Sequence, residues 1–473
     1  MMTRKKYLAA LLVMVCTGFS GQLLAQVGDS LQKLSAQQAV ELALKQNADM
    51  QNIRIDKQMQ LATNSSIAGQ ALPQITGSVS MQRFFSIPTS VLPNFISPSV
   101  YQVLKDENVK NGTTGQPIVF PNDFGNINAQ FGVPWQASAG LSLQQLLFQP
   151  DVFVGLKARK KTLEYADNNI KIQEDTLKSA VLRGYYGVLI AEKRIVFVNE
   201  SLLRLEKLQH DQEQLFKNGF AEKLDMDKTE VSLNNLRSTQ LQLKNFISMG
   251  YAALKFTLGM QQKDSLLLTD TLSVAELKKD LLSITDTYNP EDRNEVKALK
   301  TVNDLLNLDV KRNRMGYIPT FAAFWNVSTS AQRQKFDFFA KEKWFPTNIA
   351  GININIPVFD GFQRKYKIQN ARYAVEKNTN TLNQVKRAVD LQVNINKIQL
   401  TNALVSMDIQ DRNKALAEKV YNTTKKKYEQ GLGSSFEVLL SETSLEEAQG
   451  NYYQSLYDAI IARIGYLKAM GKL

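Results

Sequence analysis

Between residues 152 and 216 the apolar side chains recur at the spacing of a helical seam. Ile170, Leu177, Gly184, Ala191, Val198 and Leu205 stand seven residues apart, and Val181, Val188, Ile195 and Leu202 interleave at steps of four and three. No proline interrupts these roughly 65 residues, which predicts one helix of about 100 Å at 1.5 Å per residue, longer than a single compact domain needs. Such a rod packs lengthwise on other helices. Lys217-Asn218-Gly219 ends it, and a second periodic run through Met226, Leu233, Leu236, Leu243, Ile247 and Leu254 predicts an antiparallel return.

Elsewhere the period changes to two. Ile75, Gly77, Val79 and Met81 alternate with Thr76, Ser78 and Ser80, without a charge until Arg83. Similar uncharged runs predict four strands, at about 74–84, 137–148, 318–331 and 347–359. Ahead of the first, Ser35 is placed to cap one helix that carries Val40, Leu44, Ile53 and Met59 and ends near Gly69. Residues 86–134, with Pro88, Pro93, Pro98, Pro117, Pro121 and Pro134, form a long outer loop whose aromatics and prolines suit an ordered cap.

The plan of strand, strand and long hairpin occurs twice. Ala71-Leu72-Pro73 is matched by Tyr317-Ile318-Pro319, Gly140 to Phe148 by Gly351 to Phe359, and Lys217-Asn218-Gly219 by Glu429-Gln430-Gly431. The organisation expected is a first repeat over 26–260, an equatorial linker over 261–293 and a second repeat over 294–473. The linker holds an extended piece at 265–269 and an irregular helix at 277–287 that packs against the rods.

Composition narrows the function. The 473 residues contain only 12 prolines, most of them between 73 and 150, as a long-helix protein requires. Arg4-Lys5-Lys6, the apolar run from Tyr7 and an end at Ala25 predict a signal peptide over 1–25, with Leu23 an imperfect fit to the cleavage site. The one cysteine, Cys16, lies inside that run, and Val15 before it argues against lipidation. Removing the signal takes three cations and no acid, so the formal charge falls from +12 to +9. The remaining cations are dispersed along helices, which argues against nucleic acid.

With His210 the only histidine, no cysteine in the mature chain and no P-loop, neither a zinc site, a nucleophilic triad nor nucleotide chemistry can be assembled. No enzyme and no cofactor are expected. No stretch after the signal is long and apolar enough for a transmembrane helix, so membrane entry falls to the strands. Each has about the 9 to 11 residues of a tilted membrane-spanning strand. In lipid a sheet must close, because an open edge leaves backbone groups unsatisfied. Four strands cannot close alone, whereas three copies give twelve strands and four give sixteen. Phe84, Phe85, Phe324, Trp325, Trp344, Phe345 and Phe359 are aromatics suited to the bilayer interface. The alternative is a periplasmic coiled-coil adaptor or structural protein without a pore, which accounts for the rods but not for matched pairs of uncharged strands.

The duplicated plan, the run from Leu34-Ser35-Ala36 to Asn47, the Pro-led strands at Leu72-Pro73 and Ile318-Pro319, Pro357-Val358-Phe359-Asp360-Gly361, and the two Gly turns together resemble the TolC-like outer-membrane efflux and export channels. The resemblance covers nearly all of the mature chain. It implies a fold that is mainly α with membrane β: a homotrimer with a twelve-stranded β-barrel in outer-membrane lipid, continued by an α-helical barrel across the periplasm. It implies an exit duct for tripartite efflux or type I export, opened at its periplasmic tip by a periplasmic adaptor (membrane fusion protein) and an inner-membrane pump. The tip turns that dock the adaptor correspond to 219–224 and 431–436, with Gly219, Phe220, Gly431, Leu432 and Gly433 at their centres. Asp225 and Glu437 occupy the places of the family's tip acids, which hold the coils closed or ring the aperture. Leu440 stands where a second aperture acid can occur, and Gly433 where a tip arginine can occur.

Overall fold

A capping box at Ser35 starts the first helix. Ser35 Oγ accepts from the Gln38 backbone N at 3.3 Å, and Gln38 Oε1 accepts from the Ser35 N at 2.9 Å. The computed structural model describes residues 31–271, 288–340 and 342–473. The expected signal peptide with Cys16, and the expected helix at 277–287, lie outside them. A short strand β1 (Gln32–Leu34) precedes the box and helix α1 (Ala36–Gln46) follows it.

The single helix expected to reach Gly69 is broken at Asn47, whose backbone is extended (φ −60°, ψ 131°). Its side chain explains the break. Oδ1 accepts from the N–H groups of Asp49 (2.9 Å) and Met50 (3.2 Å), capping a new helix α2 (Ala48–Gly69), while Nδ2 donates to the Thr257 carbonyl at 3.0 Å.

Strand β2 (Gln74–Arg83) follows, then the long loop. There β3 (Thr89–Pro93) pairs antiparallel with β4 (Asn126–Gln130), and helix α3 (Ile96–Asp106) lies between them in sequence. Tyr101, Phe120 and Phe124 meet edge to face with centroids 5.1 to 6.4 Å apart. Strand β5 (Trp135–Phe148) leads into helix α4 (Pro150–Lys217), and α5 (Lys223–Leu258) returns. A three-residue strand β6 (Leu266–Leu268) pairs in parallel with β1, a pairing that the sequence did not reveal. Helix α6 (Asn294–Met315), strands β7 (Thr320–Arg333) and β8 (Phe345–Asn355), and helices α7 (Gln363–Glu429) and α8 (Ser435–Met470) complete the chain.

Two compact units result. One, formed by 59–163 and 303–377, holds an antiparallel sheet in the order β2-β5-β7-β8, so the two repeats join through β5 and β7, and β2 and β8 are left as edges. Residues paired directly across an antiparallel sheet share a face. The register therefore puts Ile75, Val79, Leu141, Trp325, Val327 and Ile352 on one face, all well exposed in the chain. On the other face Ser80 Oγ meets Ser138 Oγ at 2.8 Å and Ser142 Oγ donates to Asn326 Oδ1 at 2.6 Å. The Phe324 ring lies over Gly351 there, where a Cβ would meet it at 2.7 Å.

The strand limits shift by a few residues from those expected. β8 stops at Asn355 because Pro357 has no N–H to continue the ladder, and β7 runs on to Arg333 because Trp135 pairs with it.

The other unit, formed by 31–58, 164–302 and 378–473, is helical. Leu177, Val181, Val188, Ala191, Val198, Leu202 and Leu205 of the α4 seam are buried, against α1 and α5 in one core and against α5, α7 and α8 in another. Eighteen residues of α8 are buried against six of the equally long α5, so α8 is the central helix of this bundle. Helix α7 buries Val389, Val393, Leu400, Leu404 and Met407. A second stripe on it, Leu391, Ile395, Ile398, Val405, Ile409 and Leu416, follows steps of four, three and seven and stays 43 to 62% exposed. An exposed heptad seam of that length is a packing surface without its partner in the single chain.

Candidate functional site

Both hairpin turns are built alike. Each first helix ends on a glycine in the left-handed region, Gly219 at φ +79° and Gly431 at φ +75°. In the first, Phe220 N donates to the Leu215 carbonyl at 2.8 Å and Gly219 N to that of Phe216 at 2.9 Å. In the second, Leu432 N donates to Lys427 and Gly431 N to Tyr428 at the same two distances. The carbonyls freed at the helix ends are thereby satisfied, and glycine adopts this conformation without the steric cost that a Cβ imposes. Each turn then projects an apolar side chain into solvent: Phe220 is 81% exposed and Leu432 is 76% exposed.

The two turns touch through the starts of α5 and α8. Ser435 Oγ donates to Asp225 Oδ2 at 3.3 Å, and Lys228 Nζ donates to Asp225 Oδ1 at 3.4 Å. The same ammonium lies 4.8 Å from the centre of the Phe436 ring. Asp225, partly buried, thus receives one donor from each hairpin. Glu437 lies apart from this cluster. It is exposed in the first turn of α8, where its backbone N donates to Ser434 Oγ at 3.2 Å, and its carboxylate lies beside Gly433. The helix dipole favours an acid there.

Sequence reasoning missed three partners at this place. Lys228 and Ser435 are ordinary surface types until the fold brings them to Asp225. Tyr428, one turn before Gly431, has a buried hydroxyl with no hydrogen-bond partner among the described residues. Burial raises its pKa, and the charges of Asp211 and Asp225 raise it further, so it stays a neutral donor facing two acids.

Further along the bundle Arg204 of α4 reaches Glu442 of α8, its Nε donating to Oε2 at 2.8 Å and Oε1 at 3.0 Å. Burial opposes the charge on Arg204, but the hydrogen bond and charge of Glu442 outweigh it and hold the guanidinium above its ordinary range. His210 is exposed on α4.

The chain thus offers a sheet with one exposed apolar face and two open edges in one unit, and long paired helical hairpins in the other. The family profile described as Outer membrane efflux protein matches residues 292–472. The chain is 20% identical over 354 residues to Outer membrane protein TolC of Vibrio cholerae, covering 74% of this chain and 80% of that one. It is also 20% identical over 325 residues to Alkaline protease secretion protein AprF of Pseudomonas aeruginosa, covering 68% and 67%. The solved structure of CusC, described as forming a transmembrane channel, superposes with a TM-score of 0.68 at 16% identity, covering 92% of this chain and 91% of that one.

Residues 292–472 are thus those of an outer membrane efflux protein, and the likeness to TolC, AprF and CusC extends over most of the chain. The protein is an outer-membrane channel for efflux or type I secretion, with a β-barrel in the membrane and an α-helical barrel in the periplasm. The apolar face carrying Ile75, Val79 and Ile352 is accordingly the one that meets lipid, and the serine-lined face the one that meets water.

Proposed function

We propose that three copies of this chain form the conduit and that its hairpin turns are the gate, opened by a periplasmic adaptor together with an inner-membrane pump. The observation that carries the reading is the sheet's two open edges. In hydrocarbon the outer N–H and C=O groups of β2 and β8 find no water, so β8 of one copy pairs with β2 of the next. Three four-stranded sheets make twelve strands. The uncovered α7 stripe supports the same assembly in the helical part, where a neighbouring copy buries it. Transport needs no chemistry from this chain, and energy comes from the pump.

Within the tip, Asp225 acts as a lock, because its carboxylate on the first hairpin accepts from Ser435 of the second, while Lys228 of its own helix steadies it. Glu437, exposed on the same helix as Ser435, forms a three-fold ring of acids at the aperture. Like charges brought together there repel one another and attract cations. Replacing Glu437 by Gln is expected to change single-channel conductance and to relieve block by divalent cations. Unchanged values for both would remove Glu437 from the constriction.

Phe220 and Leu432 offer the adaptor two apolar anchors at the extreme of the turns, with 219–224 and 431–436 as the docking segments. A charged residue at either position should abolish efflux while leaving the amount of outer-membrane trimer unchanged. Drug susceptibility assayed beside immunoblots of unboiled membranes reads both quantities, and wild-type susceptibility in the variants would count against docking there. Drugs, metal ions and proteins all fit a duct that contacts its cargo only in passage.

A further inference from the structure

We infer that Arg204 and Glu442 are positioning residues for the gate: their ion pair, with Glu442 buried and Arg204 half-buried, fixes the register of α8 against α4 and so holds the tip in its closed arrangement. This rests on the reading of the turns as a gate and adds the element that sets it.

The pair is out of place in its surroundings. Leu205 and Leu208 of α4, Leu236 of α5, and Leu439 and Leu445 of α8 form the core on which it lies. Glu442, 2% exposed, is the one acidic side chain among the buried described residues. Its carboxylate takes both contacts from Arg204 Nε, while Arg204 Nη2 donates to Ser201 Oγ at 2.6 Å and the guanidinium lies 5.5 Å from the centre of the Tyr421 ring of α7. One charged node therefore touches three helices from both hairpins.

Burying the Glu442 carboxylate costs desolvation that the pair's Coulomb attraction barely offsets, and hydrophobic residues of similar volume commonly stabilise as well or better. Stability alone does not explain it. A seam of leucines, however, tolerates a slip of three or four residues, because one leucine replaces another in each layer. A single polar contact within a seam specifies register, since any slip leaves it unsatisfied. Glu442 has that position on α8, five residues beyond Glu437 and seven beyond Ser435, the residue that reaches Asp225. Whatever fixes Glu442 along α4 fixes the lock and the exposed acid.

The packing leaves room for such a movement. Clefts of about 60 and 100 Å³, open to solvent, flank Glu442, the first bounded also by Arg204, Asp211, Tyr421 and Tyr428, the second by Ser201, Asn235, Thr239 and Glu446. Side chains that filled these clefts would oppose a slide of α8.

The test compares three variants of the full-length protein as purified trimers: E442Q, the double hydrophobic replacement R204M/E442L, and D225A as the variant that releases the proposed lock directly. Planar-bilayer conductance and thermal melting are recorded for each. E442Q takes from the half-buried Arg204 its hydrogen-bonded carboxylate partner, leaving only Glu200 at 4.0 Å, and should melt lower and conduct several-fold more than the wild type. R204M/E442L buries no charge and keeps the seam continuous. It should melt no lower than the wild type yet also conduct several-fold more, a combination that a purely structural role does not produce. Wild-type conductance in R204M/E442L overturns the proposal, whatever E442Q does. D225A answers a separate question: if it fails to raise conductance, the lock reading of Asp225 fails, while an open R204M/E442L would still support the ion pair as the setting element.

Discussion

Replacing Ile398 and Val405 by Asp is expected to abolish trimer assembly. Both lie on the exposed α7 stripe, 61% and 55% accessible in the single chain, and neither contributes to the buried core of its own bundle. The monomer should therefore fold. Two carboxylates placed in an apolar seam between copies would each have to be desolvated without a partner, which costs several kcal/mol apiece. With three such seams in a trimer the penalty exceeds the stability margin of about 5–15 kcal/mol typical of folded proteins. Unboiled outer-membrane fractions should lose the slowly migrating trimer band, whereas the same substitutions at the solvated Lys419 and Asn422 should leave it. Intact trimers in the double variant would mean that α7 does not face a neighbour.

The second large effect is expected from Asp225→Ala. The substitution removes the acceptor of both Ser435 Oγ, the contact that joins the two turns, and Lys228 Nζ of the same helix. The Lys228 pair lies within α5 and does not couple to opening, but the hydrogen bond from Ser435 to the charged carboxylate is worth about 1.5–3 kcal/mol in each copy. Three copies lose it together. The combined shift suffices to move a closed tip to an open one, since about 5.5 kcal/mol carries a two-state equilibrium from 1:99 to 99:1. Mean conductance in planar bilayers should rise several-fold, and cells should become permeable to large antibiotics normally excluded by the outer membrane. Asp225→Asn, which keeps an acceptor for Ser435, should fall between the two. A closed Asp225→Ala channel would show that the lock lies elsewhere.

Much of the architecture could be read from periodicity because it repeats locally. The seam from Leu177 to Leu205 states a long helix in its spacing alone, and the alternation around Val79 states a strand with one apolar face. The two Gly turns were legible for the same reason, since a left-handed glycine at a helix end is a local requirement. What escaped notice depends on residues far apart in the chain. Asn47 splits the N-terminal helix because its amide reaches Thr257, 210 residues away. The pairing of β1 with β6 joins segments more than 200 residues apart, with too few residues in either to show a pattern.

At the candidate gate the acids Asp225 and Glu437 could be singled out by their position after each turn. Their surroundings could not. Ser435 and Lys228 become partners of Asp225 only when the second hairpin folds against the first, and Glu442 reads as one more acid on a charged helix until Arg204 is found 238 residues earlier. The buried hydroxyl of Tyr428 likewise carries no signature in a run of lysines.

The account stands on the sheet being one part of a barrel that other copies complete. Native mass spectrometry of the mature protein extracted from outer membranes in detergent tests this directly. The expected result is a single species of three chains; a monomer that stays dispersed in water without detergent would contradict it.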